Sequence, residues 1–226
     1  MTELVVFDMA GTTVDENNVV YKTVRAAINA AGYSFTQQDV QSAGAGKEKS
    51  QAIRDVLALD GNEHSEEEIA KIFADFKVRL KQAYQDLNVT EQPAASEVFA
   101  NLRERGIKVV LNTGYDRATA EGLINKIGWL IGPDIDALVT ASDVTHGRPG
   151  PDMIHRAMEL TGVSVAENVV KVGDSEIDIE EGKNAGCGMT FGITTGAQLE
   201  SQLQQSEPTA VIASLRELLT HLDAPR

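Results

Sequence analysis

The sequence has little cysteine, little proline and a shortage of positive charge, and each shortage excludes something. One cysteine, Cys187, cannot form an internal disulfide, which agrees with a reducing compartment. It lies in the small-residue run Ala185-Gly186-Cys187-Gly188 and reads as a small core residue, not a nucleophile. Six prolines, no repeat and no long Pro/Gly/Ser linker leave no room for a collagen-like or low-complexity chain. No segment holds the roughly 20 consecutive apolar residues needed to span a bilayer, and residues 1–30 show no charged-then-apolar leader, so a cytoplasmic location is expected. With 20 Lys and Arg against 34 Asp and Glu, the formal charge is −14. The average surface field therefore repels phosphate backbones and anionic lipid, and neither nucleic acid nor a membrane is an expected partner. An anionic substrate needs a local attraction instead, from cationic side chains, backbone N–H groups or a metal.

What is present is the material of a globular core: 42% hydrophobic and 24% charged residues in 226, enough for one domain carrying an insertion. Short apolar runs recur at Leu4 to Phe7, Ile107 to Leu111, Ala137 to Thr140, Val169 to Val172 and Met189 to Ile193. Between them lie amphipathic stretches of helical length, Ala95 to Arg105, Arg117 to Ile127, Asp152 to Leu160 and Ile177 to Ala185. Pro151 suits a first helical turn, and Gly106, Gly128 and Gly162 suit helix ends. Strands alternating with helices predict an α/β core: a doubly wound, Rossmann-like parallel sheet covered on both faces. The rhythm breaks from residue 15 to 88, where Val20, Val24, Ala27, Ile28 and Ala31, and then Ile69, Ile72, Phe73, Phe76, Leu80 and Tyr84, repeat at three and four. The second run follows a Ser65-x-x-Glu68 capping box. We expect a core of residues 1–14 and 89–226 and a helical cap of residues 15–88 over the strand ends.

In an open parallel sheet, ligands bind at the carboxyl ends of the strands. Four strand ends carry polar groups suited to one anion site: Asp8-Met9-Ala10-Gly11-Thr12-Thr13-Val14-Asp15, Asn112-Thr113-Gly114-Tyr115, the Ser142 to Pro149 segment, and Gly173-Asp174-Ser175-Glu176-Ile177-Asp178. Asp8 and Asp174 at two strand tips repel unless a cation lies between them. Hard oxygen ligands of this kind, with the Ala10 carbonyl, suit Mg²⁺, and a carboxylate free to attack phosphorus gives an aspartyl-phosphate. The competing reading is that such aspartates only cap the helices that follow, and for Asp178 the two stand level. Thr113 and Gly114 offer a hydroxyl and N–H groups to phosphoryl oxygens or serve as an ordinary cap. Arg148 either neutralises charge on a transferring group or is a surface arginine.

These four segments together resemble the motifs of the haloacid-dehalogenase superfamily, and within it the phosphonatase branch, the phosphonoacetaldehyde hydrolases. The resemblance runs over nearly the whole core and is weak across the cap. It implies a Mg²⁺-dependent hydrolase with Asp8 as nucleophile, Asp8, Ala10 and Asp174 at the metal, and Ala10, Gly11, Thr113, Gly114 and Tyr115 around the substrate. It also implies Arg148 as a catalytic cation, and Thr12 and Asp178 in support. Most phosphatases of this superfamily carry a second aspartate two residues beyond the nucleophile, to protonate the departing alcohol. Here that residue is Ala10, as in phosphonatases, which argues against routine ester hydrolysis. A carbon leaving group needs an electron sink, and an iminium supplies one. Lys47, in Gly44-Ala45-Gly46-Lys47, falls where the phosphonatase cap carries its imine-forming lysine; a solvated lysine beside Glu48 and Lys49 is the alternative. A nucleotide phosphate loop is excluded, since Glu48 replaces the required Ser or Thr. The cap departs from the pattern at Asn18, Ala43 and Ser50, where the family has cysteine, methionine and histidine.

The expected reaction is cleavage of the carbon-phosphorus bond of a small phosphonate such as phosphonoacetaldehyde. The rival is phosphomonoester hydrolysis of the phosphoglycolate phosphatase kind. A receiver-like phosphate-binding module fits poorly, because of the long insertion. The resemblance further implies a homodimer formed through the cap. Among the histidines, His146 borders the expected site, and His64, His155 and His221 fit exposed positions.

Overall fold

The computed structural model describes residues 1–45 and 47–223, and its chain divides into two compact units, Met1–Asp15 with Val89–Arg226, and Glu16–Asn88. The first unit opens with β1 (Leu4–Asp8) and the two-residue β2 (Val14–Asp15). The second contributes α1 (Val19–Ala30), α2 (Gln37–Gly44), α3 (Lys49–Leu57) and α4 (Glu66–Asp86). The chain then resumes the first unit with β3 (Thr90–Glu91), α5 (Ala95–Glu104), β4 (Lys108–Thr113), α6 (Arg117–Ile127), β5 (Ala137–Thr140) and α7 (Asp152–Thr161). It closes with β6 (Val169–Gly173), α8 (Glu176–Asn184), β7 (Met189–Ile193), α9 (Glu200–Leu203), β8 (Ala210–Ile212) and α10 (Leu215–Asp223).

Six strands form one parallel sheet in the order β5-β4-β1-β6-β7-β8, the doubly wound α/β architecture that the alternation of apolar runs and amphipathic stretches predicts. The strands are apolar because both faces are covered: Leu4, Val5, Val6 and Phe7 of β1 are all fully buried. On one face Leu4 and Val6 pack with Val110, Val139, Met153 and Ile154, each such side chain stabilising the fold by roughly 1.5–3 kcal/mol. The sheet has a sixth strand, β8, and a last helix, α10, beyond the five strands read from the sequence. β2 and β3 add a separate antiparallel pair.

The central strands β4, β1 and β6 run in the same direction, so Asp8 ends level with Asn112, and Asp174 follows the last residue of β6. Successive strand residues alternate faces. The pairings Val6↔Lys171 and Asp8↔Asn112 therefore put Asp8, Asn112 and Lys171 on one side of the sheet.

Within the helical unit, α1 and α4 bury the stripes expected of them, including Val20, Val24, Ala27 and Ile28, and Ile69, Ile72 and Phe76. Ala31, the C-cap of α1, is exposed, because the stripe ends with the helix. The capping box is only half formed. Ser65 Oγ accepts the Glu68 N–H at 3.2 Å, but the Glu68 carboxylate is drawn to the Tyr33 hydroxyl, which donates to it at 2.6 Å. No helix among the described residues is long and apolar enough to cross a membrane.

Candidate active site

The turn that carries Asp8 is wound around one carbonyl. The N–H groups of Thr12, Thr13 and Val14 converge on Met9 O at 3.2, 2.9 and 2.8 Å, and Thr13 Oγ1 donates to Asp8 O at 2.9 Å. Gly11 takes φ +83°, and a Cβ there would lie 2.5 Å from Asp174 Oδ2, so only glycine lets the turn approach Asp174 this closely. The loop after β7 reaches the same oxygen, with Gly196 Cα 2.8 Å from where a Gly11 Cβ would lie. There a Cβ on Gly196 would lie 2.0 Å from the same oxygen. Ala197 N–H donates to Asp174 Oδ2 at 2.6 Å, and Thr195 Oγ1 donates to Gly11 O at 2.6 Å. Two neighbouring glycine backbones thus pack against one oxygen of Asp174.

Arg148, in the segment between β5 and α7, reaches into this buried acidic group. Its Nη1 lies 2.7 Å from Asp8 Oδ1 and 2.9 Å from Asp178 Oδ1, while Nη2 donates to Asn112 O and Oδ1 at 3.0 Å each. Asp178 also pairs with Lys171 Nζ at 3.1 Å and accepts the Ser175 hydroxyl at 2.6 Å. Lys171 and Glu181, both fully buried, pair at 3.1 Å. Three buried carboxylates thus meet the buried Lys171 and the largely covered Arg148, and Asp174 stands beside them with no cation among its described contacts.

Their electrostatics follow from that shortage of positive charge. Burial pushes the Asp8 carboxyl up to about 6, with Arg148 pulling the other way. Burial and the nearby charge of Asp8 hold Asp174 well above the usual carboxylate range. At Asp178 burial also pushes upward, but Arg148 and Lys171 outweigh it and leave that carboxyl below its ordinary value. Asp8, Asp174 and Asp178 offer oxygens within 4.8 Å of one another, a group able to hold a metal ion. Asp8 shares Arg148 with Asp178, whereas Asp174 meets no cation among its described contacts, so the unmet charge centres on Asp174 with Asp8 beside it. An all-oxygen, buried donor set with surplus negative charge fits a hard divalent cation.

Of the other expected site residues, Thr12 is buried with its hydroxyl 3.5 Å from Asp174 Oδ1. Ala10 and Gly11 lie partly exposed in the Asp8 turn. Thr113 ends β4, buried, its hydroxyl oxygen accepting the Tyr115 N–H at 3.2 Å; Gly114 is exposed and Tyr115 half-buried. The helix-cap alternative belongs to Asp116, whose side chain accepts the Thr119 N–H at 2.9 Å. Lys47 lies in the helical unit, paired with Asp55 of α3, and Gly46 beside it is outside the described residues. Ser50 donates its hydroxyl to Glu48, the N-cap of α3. Asn18, with φ 55°, precedes α1, and Ala43 lies in α2. His146 is exposed and bonded to Asp152, whereas His64 is not exposed as expected: its ring is nine-tenths covered, held between Asp60 and Glu68. Burial pushes the Cys187 thiol up to about 12, as suits a packed, unreactive side chain.

Asn112, Lys171, Glu181 and the loop of Gly196 and Ala197 were not singled out by sequence reading. Two of them leave a signal. Lys171 is the one charged residue in Val169-Val170-Lys171-Val172, and a lysine in a buried strand requires a buried counter-charge. Glu181 lies three residues after Asp178, on the same helix face.

The haloacid dehalogenase-like hydrolase family model matches residues 2–186. A phosphonoacetaldehyde hydrolase of Bacillus cereus is 33% identical over 227 residues, covering 95% of this chain and 84% of that protein. A bifunctional phosphonoacetaldehyde hydrolase/aminoethylphosphonate transaminase of Clostridioides difficile is 33% identical over 193 residues, 80% of this chain; the match spans 30% of that longer protein. Among solved structures, a phosphonoacetaldehyde hydrolase-like protein from Oleispira antarctica superposes with a TM-score of 0.82 at 27% identity, covering 98% of this chain and 91% of the other. The family match takes in the segments that carry Asp8, Thr113, Arg148 and Asp174, and the chain belongs to the haloacid dehalogenase-like hydrolases.

Proposed function

We propose that this hydrolase cleaves the carbon-phosphorus bond of a small phosphonate aldehyde of the phosphonoacetaldehyde kind. The observation that carries the reading is Ala10. An ester phosphatase working from Asp8 needs an acid beside it to protonate the leaving alkoxide, and the side chain two residues on is a methyl group. Identity of 33% to a protein named phosphonoacetaldehyde hydrolase, over 95% of the chain, supports the same reading.

In this chemistry the Lys47 amine condenses with the substrate aldehyde, expelling water and leaving an iminium. An Asp8 carboxylate oxygen attacks phosphorus. As the carbon-phosphorus bond breaks, its electron pair passes into the iminium and gives an enamine. Water then attacks the aspartyl-phosphate, releasing inorganic phosphate and restoring Asp8; protonation and hydrolysis of the enamine release the aldehyde and restore Lys47. Thr113 and Gly114 orient the phosphoryl oxygens and Arg148 offsets their charge. Asp8, Asp174 and the Ala10 carbonyl would hold Mg²⁺, which supplies Lewis-acid charge neutralisation at the phosphoryl group.

One observation favours a second reading, phosphomonoester hydrolysis: Lys47 is engaged by Asp55, and condensation requires the amine to leave that pair. Borohydride added during turnover of phosphonoacetaldehyde separates the two. An adduct on Lys47 by mass spectrometry, none on Lys49, and loss of carbon-phosphorus cleavage in Lys47→Arg are expected. No adduct, together with phosphate-ester hydrolysis that survives Lys47→Arg, overturns the phosphonate reading in favour of the second.

A further inference from the structure

Lys171, Asn112 and Glu181 are each fully buried and form a closed polar ring behind Arg148. Asn112 Nδ2 donates to both Glu181 oxygens, at 2.9 and 3.1 Å. Asn112 Oδ1 accepts from Lys171 Nζ at 2.6 Å and from Arg148 Nη2 at 3.0 Å. Glu181 Oε2 lies 3.1 Å from Lys171 Nζ and 3.2 Å from Arg148 Nε. With Asp178 at 3.1 Å, Lys171 Nζ has three oxygens around it. It is fully covered by them and by the sheet, which leaves it no access to a substrate.

Such a ring is an expensive way to fill space. Removing a lysine and a glutamate from water costs several kcal/mol per ion, and an apolar group of the same volume is commonly as stable or more so. What an apolar filling cannot do is fix the plane of a guanidinium. The ring holds Arg148 through the Nη2 hydrogen bonds to Asn112, with Glu181 Oε2 beside Nε as a charge contact without a hydrogen bond, and leaves Nη1 directed to Asp8 and Asp178. With one edge held, the orientation of the other is set.

We propose that Lys171, Asn112 and Glu181 are positioning residues that fix the Arg148 guanidinium plane against Asp8, so that its Nη1 donors meet charge developing on the transferring phosphoryl group. The inference rests on the reading of Asp8 as the attacking group. It extends the set of residues that govern the reaction to one full layer below the site.

The test is a pair of mutant cycles read with p-nitrophenyl phosphate and with phosphonoacetaldehyde: Glu181→Gln and Lys171→Met, each made in the wild type and in Arg148→Ala. In the wild-type background each is expected to lower kcat about 10- to 100-fold, the usual effect of losing an outer-shell partner, with KM within threefold. In the Arg148→Ala background the same substitutions should change kcat less than twofold, because no guanidinium remains to be held. Equal fold-losses in both backgrounds overturn the proposal and make the ring a stability device, as does failure of both substitutions to fold while Arg148→Ala folds. A wild type inactive on both substrates counts against the underlying reading of Asp8. The kcat ratio between the two backgrounds tests the ring alone.

Discussion

Replacing Gly196 with alanine tests the site without touching any group that reacts. A Cβ at this position would lie 2.0 Å from Asp174 Oδ2, 2.5 Å from its Cγ and 2.6 Å from its Cβ. Ordinary contact begins near 3.4 Å, so the aspartate or the loop must give by about 1.4 Å. Neither has free room. The Gly11 backbone already abuts the same Oδ2, which is also tied to Ala197 N–H at 2.6 Å; the loop in turn is tied to Gly11 O through Thr195 at 2.6 Å. Overpacking of this kind costs about 1–3 kcal/mol, and a ligand whose supporting contacts are broken loses about 10- to 100-fold in metal affinity. Isothermal calorimetry with Mg²⁺, run beside a thermal melt, separates the two effects. The expected result is a folded protein that binds Mg²⁺ at least tenfold more weakly. A variant that folds and binds Mg²⁺ as tightly as the wild type refutes the assignment of Asp174 to the metal.

Further outcomes follow from the same geometry. Asp8→Asn preserves the shape and the Arg148 contact but removes the attacking carboxylate, so turnover on any phosphoryl substrate should fall at least 10³-fold, and EDTA should abolish it in the wild type; retained turnover in either case refutes the mechanism. Asp8 and Asp174 hold their protons more tightly in the folded protein than in the unfolded chain. Their contribution to stability is therefore greatest below pH 4 and is lost as pH rises through about 6 for Asp8. Mg²⁺ at about 100 times its Kd should add about 2.7 kcal/mol, roughly 5–10 °C in Tm. Because protons compete for these carboxylates, the rise should be smaller at pH 5 than at pH 7.5; melts in EDTA and in Mg²⁺ that differ equally at both pH values refute this.

The strand ends were legible because buried parallel strands read as apolar runs, and a polar residue closing each run marks where backbone gives way to chemistry. Asp8 and Thr113 close two such runs, and Asp174 follows a third. The short edge strand β8 was not legible, since three residues, two of them only partly buried, leave no run to see. The loop of Gly196 and Ala197 escaped for another reason: it acts through a backbone N–H and the absence of side chains, neither of which has a residue type that advertises it. Lys171 and Glu181 belong to a third kind. Their identities are visible, but their partners lie on different elements, and only the fold shows that Asn112 on β4 completes the ring.

The clearest case for structure over sequence is the pair Asp174 and Asp178, four residues apart and chemically identical. Both are buried, so burial alone pushes both carboxyls upward. Asp178 turns from α8 toward Arg148 and Lys171, at 2.9 and 3.1 Å, and ends below its ordinary value. Asp174 meets no cation among its described contacts; the Thr12 hydroxyl, the Ala197 N–H and its own backbone N–H are its donors, with Asp8 adding repulsion. Hydrogen bonds from neutral donors do not offset that desolvation, whereas two cations do. The motif therefore divides its labour by environment. Asp178 pairs with both cations, and Asp174, with none beside it, carries the charge that a divalent ion would offset.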